Sequence, residues 1–303
     1  MPRWSTNDIP DQSGRTAVVT GTGGLGYEDA LALARAGAAV VIAGRNPTKG
    51  AEAVAAIRDA VTHANVRFER LDLASLASVS DFSKRMRGQV GALELLINNA
   101  GVMTPPRREA TSDGFELQLG ANHLGHVALT AGLLPLLKKG SAARVVSVSS
   151  VAARQGRIDF DDLNAERAYA PMSVYAQSKL ACLMFALEFD RRSRAAGWGV
   201  AGIAAHPGVA RTQLLYNTPG GHPMRRLRTA LWFLFQPVER GALPTLFAAT
   251  APEAVGGGYY GPDGLAEIRG YPKAAEIPPA ARDGTAAARL WEISEQLAGV
   301  RFE

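Results

Sequence analysis

Short apolar runs alternate with longer stretches of helical periodicity through the first two thirds of the chain. The runs are apolar rather than alternating, which is typical of strands that are buried on both faces of a parallel sheet. The pattern predicts six such strands, at Thr16–Thr20, Ala39–Ala43, Val66–Leu71, Leu93–Ile97, Arg144–Val148 and Val200–Ala205.

Helices are predicted between these strands, at Leu25–Ala36, Pro47–Thr62, Ser75–Arg87, Ser112–Leu137 and Pro171–Ala196. Regular alternation of strand and helix predicts an α/β fold with a single doubly wound parallel sheet and helices on both faces. No break in composition divides the chain, so we expect one domain over residues 1–303, with an irregular arm over 1–14. The pattern loosens beyond residue 206, where a loop, two helices, a short strand near Gly258–Tyr260 and a C-terminal extension (about 262–303) are predicted.

Charge and cysteine content narrow the class of partner and the compartment. The net charge of +5 is spread along the chain without a Lys/Arg run longer than two, so a nucleic-acid partner is not expected. A mild positive excess agrees with a phosphorylated cofactor. The single cysteine, Cys182, cannot form an internal disulfide, and residues 1–10 lack an apolar signal core. We therefore expect a cytoplasmic protein with no membrane-spanning segment.

A glycine-rich segment joins the first strand to the first helix. Glycines at this place let the backbone approach a pyrophosphate at the helix N-terminus. A tight strand–helix turn is the purely structural alternative. The context of strand before and helix after favours dinucleotide binding by Gly21, Thr22, Gly23, Gly24, Leu25 and Gly26.

The end of the second strand indicates which dinucleotide is preferred. NAD-binding folds usually place a carboxylate here for the ribose hydroxyls. This chain has Gly44 and Arg45 instead, and a guanidinium suits a phosphate. The residues therefore favour NADP, with a surface arginine in a turn as the alternative.

Tyr175 and Lys179 lie four residues apart in the last long predicted helix, so their side chains project from the same face. A phenol alone holds its proton too tightly for transfer at neutral pH. An adjacent ammonium favours its ionised form. The pair is a candidate general acid/base, although this spacing also occurs by chance on exposed helices.

The ordered combination of these motifs with Asp72-Leu73, Asn98-Asn99-Ala100-Gly101, Asn122, Ser150 and Pro207-Gly208…Thr212 resembles the short-chain dehydrogenase/reductase family. The segments 121–126 and 206–208 are most similar to its retinol-dehydrogenase-like and protochlorophyllide-reductase-like members. The resemblance spans roughly residues 14–300, and the combination is far more specific than any one motif.

The resemblance implies a role for each matching position. Tyr175 is the acid/base, Ser150 bonds the substrate oxygen, and Lys179 holds the nicotinamide ribose. Asn122 positions a water that links Lys179 to solvent. The remaining cofactor contacts implied are Asp72 and Leu73 at the adenine, Asn99, Ala100 and Gly101 along the trough, Pro207 and Gly208, and Thr212 at the carboxamide.

The glycine turn departs from the family pattern, in which three residues separate the first two glycines. Here only Thr22 and Gly23 lie between Gly21 and Gly24. A shorter loop offers fewer backbone donors, and an extra glycine makes it more flexible. We expect weaker NADP binding or a loop that is disordered without cofactor.

Other clusters have simpler explanations. His123 and His126 lie three apart but have no third ligand at a recognisable spacing, so no metal is expected. Asp159, Asp161 and Asp162 are expected in a solvated loop rather than as a pair of catalytic carboxylates.

A basic and then apolar stretch, from Arg225 to Phe235, falls in the segment predicted as a substrate lid (about 209–236). It is interpreted as a lid over a lipophilic pocket, with membrane contact and packing on the core as alternatives.

The sequence thus predicts an NADP(H)-dependent enzyme that interconverts a carbonyl and an alcohol on a small lipophilic molecule. Two alternatives stay open: a non-catalytic NADP-sensing or scaffold protein, and a reductase of carbon–carbon double bonds. The resemblance also allows a homo-oligomer through the helices at 112–137 and 171–196.

Overall fold

The computed structural model describes residues 3–210 and 236–303. Within them, eight strands form one sheet: β1 (Thr16–Thr20), β2 (Ala39–Gly44), β3 (Val66–Arg70), β4 (Leu95–Asn98), β5 (Arg144–Val148), β6 (Ala201–Ala205), β7 (Tyr259–Pro262) and β8 (Pro272–Ala274). Their order is β3-β2-β1-β4-β5-β6-β7-β8.

The sheet is parallel from β3 to β7, which confirms the predicted doubly wound architecture. The sequence did not predict β8, which pairs antiparallel with β7 through Tyr260 and Ala274. Pro-Lys-Ala has no apolar run and little strand propensity. The proline is tolerated because β8 is an edge strand.

The helices of the described residues cover both faces of the sheet. They are α1 (Leu25–Arg35), α2 (Pro47–Ala60), α3 (Leu76–Gln89), α4 (Gly125–Leu137), α5 (Pro171–Ala196), α6 (Val238–Thr250), α7 (Pro279–Arg282) and α8 (Gly284–Ala298). Short 3-10 turns lie at Thr6–Asp8, Val151–Gln155 and Leu265–Glu267.

The helix predicted to begin at Ser112 is wrong at its N-terminal end. Residues 112–116 form a turn instead, in which the Thr111 hydroxyl accepts the backbone N–H groups of Asp113 and Phe115. Gly114 there has a φ of 86°. A π-helical turn over Leu119–Leu124 then leads into α4.

Strand β1 shows why continuous apolar runs appear in the sequence. Ala17 and Val19 pack into a core formed with α1, α2 and α6, whereas Val18 packs into a core formed with α3 and α4. All three side chains are fully buried. Each residue of the strand is therefore covered, and none needs to be polar.

The chain changes direction between β1 and β4, which lie side by side although β2 and β3 separate them in sequence. Crevices at the carboxyl ends of the strands at such a switch point are where open α/β sheets bind ligands. The glycine turn follows β1, and Asn99 to Gly101 follow β4.

Candidate active site

The glycine turn is a close-packed cradle at the carboxyl end of β1. Gly21 has a φ of 103° and Gly24, which caps α1, has a φ of 55°. A Cβ on Gly26 would lie 2.7 Å from the Nδ2 of Asn99 and 2.7 Å from the carbonyl oxygen of Gly21. A Cβ on Gly23, by contrast, would meet no other group of the described residues within 4 Å. The inner side of the turn therefore has no room for a side chain, whereas its outer side is open to a ligand.

Thr20 and Asn99 fasten this turn to the loop after β4. The Thr20 hydroxyl accepts the backbone N–H groups of Asn99 and Ala100, each at 2.9 Å. Asn99 Nδ2 returns a bond to the Thr20 carbonyl at 2.8 Å. The structure thus brings two of the predicted cofactor segments together.

Gly101, in the loop after β4, lies close to Asn122 and Lys179. A Cβ there would be 2.9 Å from Asn122 Oδ1 and 3.5 Å from Lys179 Nζ. The Asn122 carboxamide bonds both backbone groups of Val102, at 2.7 and 3.0 Å, and donates to Ser178 Oγ at 3.0 Å. Asn122 therefore holds the loop after β4 against α5. The water-positioning role expected of it stays a prediction.

Tyr175 and Lys179 lie on α5, whose bounds match the prediction. The Lys179 ammonium is 6.0 Å from the centroid of the Tyr175 ring and donates to the carbonyl oxygen of Val148 at 2.9 Å. Both side chains are buried, at 7% and 5% exposure. The ammonium and the phenol ring are thus held close together away from solvent.

The two serines after β5 are distinguished by their surroundings. Ser149 is buried and donates to the backbone oxygen of Lys179 at 2.7 Å. Ser150 is partly exposed and caps a 3-10 turn through the N–H of Ala152. Gly156, after that turn, packs against Ala176, so this segment lies beside Tyr175. Ser150 is thus the serine that is accessible to a substrate.

The predicted adenine end lies beside the glycine turn. A Cβ on Gly44 would be 2.7 Å from a methyl carbon of Thr22, and the exposed Arg45 follows it. The Asp72 carboxylate accepts the backbone N–H of Ala74 at 3.0 Å. The carbonyl oxygen of Leu73 abuts Gly125. Leu73 thereby links this end to the helix that follows Asn122.

Pro207 and Gly208 follow β6, and Gly208 has a φ of 63°. Thr212 and nearly all of the predicted lid lie outside the described residues. Gln236, which sequence reasoning missed, donates its side-chain N–H to the carbonyl of Pro207 and its backbone N–H to that of Val209. It therefore fixes residue 236 next to the end of β6. A lone glutamine gave no signal in the sequence.

A second missed group joins His206, Glu267 and Arg154. His206 Nε2 lies 2.8 Å from the Glu267 carboxylate, which is 2.7 Å from Arg154. Burial lowers the pKa of His206, against the opposing effect of Glu267. Burial alone would raise the pKa of Glu267. Its hydrogen bonds from His206 and from the Glu276 backbone outweigh burial, so the pKa is lowered. Glu267, in the C-terminal segment, is thus connected through Arg154 to the 3-10 turn after Ser150.

The two helical histidines have separate protein partners. His123 lies 2.7 Å from Ser294 Oγ, whereas His126 lies 3.0 Å from Thr20 Oγ1 and 2.9 Å from the carbonyl oxygen of Asn122. Across residues 3–210 and 236–303, no group of three or more metal-ligating side chains was found. The Asp162 carboxylate accepts hydrogen bonds from three backbone N–H groups of its own loop.

Among the helices that the structure describes, none has both the length and the apolar character needed to cross a bilayer.

The geometry suits a dinucleotide. A side chain on Gly21, Gly26 or Gly101 would press against the carboxamide of Asn99 or Asn122, so the backbone lies close to these residues at all three positions. A turn of glycine backbone at a helix N-terminus favours an anionic group such as a pyrophosphate.

Comparisons with known proteins agree with this geometry. The family model for short chain dehydrogenase matches residues 15–220. The chain is 42% identical to mouse polyprenol dehydrogenase (96% of this chain and 86% of that protein) and 41% identical to human retinol dehydrogenase 13 (95% and 85%). A crystal structure of an uncharacterized protein from Mycobacterium paratuberculosis covers 99% of both chains with 38% identity and a TM-score of 0.83.

These relatives carry the match over nearly the whole length of the chain and confirm the resemblance of its motifs. The protein is an oxidoreductase of the short-chain dehydrogenase/reductase family and belongs to the retinol-dehydrogenase-like subgroup.

Proposed function

We propose that the protein is an NADP(H)-dependent enzyme that interconverts a carbonyl and an alcohol on a lipophilic small molecule. The observation that carries this proposal is the buried pair of Tyr175 and Lys179, with the Lys179 ammonium next to Gly101 in the loop after β4. A purely structural tyrosine would not need a buried ammonium beside it.

Each residue of the pair has a distinct task. The Tyr175 hydroxyl delivers a proton to the carbonyl oxygen as negative charge develops on it. Ser150 donates a second hydrogen bond to the same oxygen. The Lys179 ammonium, fixed by its bond to Val148, stabilises the phenolate that remains. A bound nicotinamide cofactor supplies the hydride in reduction and accepts it in oxidation.

The preference for NADP rests on charge at the end of β2. Gly44 and Arg45 place a guanidinium where NAD-specific folds place a carboxylate. Gly44 is paired in register with Arg70 of β3, whose side chain is also exposed. Two arginines near one edge favour a phosphate over a free hydroxyl.

The lipophilic substrate class rests on the relatives. Polyprenol dehydrogenase and retinol dehydrogenase 13 are named for apolar alcohols, and both match the chain over most of its length. We extend that substrate class to this protein.

A screen of NADPH oxidation against aromatic and long-chain aldehydes and ketones tests the proposal, with NADH in parallel. We expect alcohol products and faster turnover with apolar carbonyls than with short polar ones. Binding of NADPH without turnover on any carbonyl would favour the sensing or scaffold alternative. A substrate that contains both a carbonyl and a conjugated double bond separates the third option, because a saturated ketone as the product would indicate double-bond reduction.

A further inference from the structure

His126 occupies a position between the cofactor cradle and the acid/base helix. Its ring is buried, with 4% exposure, on the first turn of α4. Nδ1 lies 2.9 Å from the carbonyl oxygen of Asn122, and Nε2 lies 3.0 Å from the hydroxyl of Thr20. One imidazole therefore touches both the residue that precedes the glycine turn and the residue that holds the loop after β4.

The partners fix which ring nitrogen carries the proton. A carbonyl oxygen only accepts, so Nδ1–H donates to Asn122. The bare Nε2, at 3.0 Å, is then the nearer acceptor for the Thr20 hydroxyl, whose other acceptor is the carbonyl oxygen of Ile97 at 3.2 Å. The hydroxyl oxygen already receives the N–H groups of Asn99 and Ala100. Every donor and acceptor of the Thr20 hydroxyl is thereby used. Burial, and secondarily the charge of Lys179, lower the pKa of His126 to about 4, which keeps the ring neutral.

The backbone carbonyl of Asn122 accepts hydrogen bonds from two side chains. It receives the His126 N–H and also the thiol of Cys182, 3.1 Å away on α5. The side chain of the same residue bonds Val102 and Ser178. A shift of this carbonyl would thus be felt by the loop that carries Gly101 and by the helix that carries Lys179.

We propose that His126 is a positioning residue that couples the backbone around the glycine turn, through Thr20, to the placement of Asn122 and Lys179. This inference deepens the proposed function and rests on it for its kinetic consequences. The coupling itself is a property of the hydrogen bonds and is measurable without turnover.

His123 provides a matched control, because it is equally buried and stands one turn earlier. Its Nε2 lies 2.7 Å from Ser294 Oγ, which itself donates to the carbonyl of Leu290, so His123 carries its proton on Nε2. Its ring packs edge-on to Phe185 rather than against the cofactor cradle. The two histidines are thus expected to be opposite tautomers.

The first experiment is ¹⁵N NMR of histidine side chains in the intact protein, with and without NADP⁺. We expect His126 as the Nδ1–H form and His123 as the Nε2–H form. We also expect saturation with NADP⁺ to shift the His126 resonances and leave those of His123 in place. An Nε2–H form of His126, or resonances that do not respond to NADP⁺, would overturn the coupling whether or not the protein turns over a carbonyl.

The second experiment is a double-mutant cycle of His126→Phe and Thr20→Val. His126→Phe is expected to lower kcat about tenfold with the KM for the carbonyl unchanged. Thr20→Val is expected to lower kcat further, because it also removes the acceptor of the Asn99 and Ala100 N–H groups. The double variant is expected to be no slower than Thr20→Val alone, because His126→Phe breaks a connection that Thr20→Val has already removed. His126→Gln, which keeps a donor, is expected to recover part of kcat.

His123→Phe is expected to retain the wild-type kcat. Additive losses in the cycle, or an equal loss in His123→Phe, would contradict the positioning role. If the wild-type protein oxidises no NADPH with any carbonyl, the proposed function fails, and the NMR result still decides this inference.

Discussion

The carboxamide nitrogen of Asn99 lies 2.7 Å from the point that a Cβ on Gly26 would occupy. This contact, together with the bond from Asn99 to the Thr20 carbonyl, holds the inner side of the glycine turn against the end of β4. Among residues 3–210 and 236–303, no atom lies within 4 Å of the point that a Cβ on Gly23 would occupy, so the outer side is open with respect to them. The shortness of the turn therefore affects the side that a phosphate would approach.

Insertion of one glycine after Thr22 should tighten NADPH binding, because the lengthened loop gains a backbone donor on its open side. One additional hydrogen bond to a charged group contributes about 1.5–3 kcal/mol, or roughly tenfold or more in Kd. Isothermal calorimetry measures the change, and insertion of a glycine after Gly91, in a distant loop, is the control. Equal Kd values would show that the short turn already binds fully.

Arg45→Ala should weaken NADPH selectively. A guanidinium–phosphate contact of about 1.5–3 kcal/mol predicts a fall of roughly 10- to 100-fold in kcat/KM for NADPH, with NADH little changed. Arg58→Ala, on the helix that follows Arg45 and bonded to the carbonyl of Val66, controls for loss of surface charge. A parallel loss with both cofactors would show that Arg45 does not contact the phosphate that distinguishes them.

Asp29→Asn should stabilise the protein at neutral and alkaline pH. Asp29 is fully buried on α1, and neither carboxyl oxygen has a partner among the described residues. Burial, and then the charge of Glu28, raise its pKa well above the usual value. A raised folded pKa means that stability is lost as pH rises above about 3.9, by up to about 1.4 kcal/mol per pH unit.

The gain from Asp29→Asn should accordingly grow from zero at pH 4 as the pH is raised. Urea unfolding at a series of pH values measures it. A gain that is the same at pH 4 and pH 8 would mean that ionisation of Asp29 is not the cause.

His123→Phe should reduce the sensitivity of the fold to acid. Burial, and secondarily His126, lower the pKa of His123 to about 3. Unfolding lets the ring take up a proton, so stability is lost as pH falls from about 6.5 toward 3, by about 1.4 kcal/mol per pH unit. The variant should lose this share of the slope between pH 6 and pH 4. An unchanged slope in urea unfolding would contradict the low pKa.

Much of the sheet was readable from the sequence because burial on both faces leaves an unmistakable pattern. Strands β1 and β5 and helix α5 have the predicted bounds. The predicted helix start at Ser112 was wrong because the side chain of Thr111 competes for local backbone donors. Helix propensity does not predict such a side-chain bond. Strand β8 depends on pairing with β7 rather than on its own composition.

Candidate site residues with a fixed spacing were found, and those bound by contacts between distant segments were missed. Tyr175 and Lys179 are four residues apart, so the helix alone predicts that they share a face. Thr20 meets His126, and His206 meets Glu267, only because the sheet brings separate segments together. His126 is four residues after Asn122, and this helical spacing was the one available signal for its role.

The most direct test of the account is the turnover of an apolar carbonyl by Tyr175→Phe, measured beside its affinity for NADPH. Removal of the acid/base should lower kcat by at least about 100-fold, while calorimetry gives a Kd for NADPH close to that of the wild type. Turnover within a few-fold of the wild type would contradict the proposal that this phenol, with Lys179 beside it, transfers the proton.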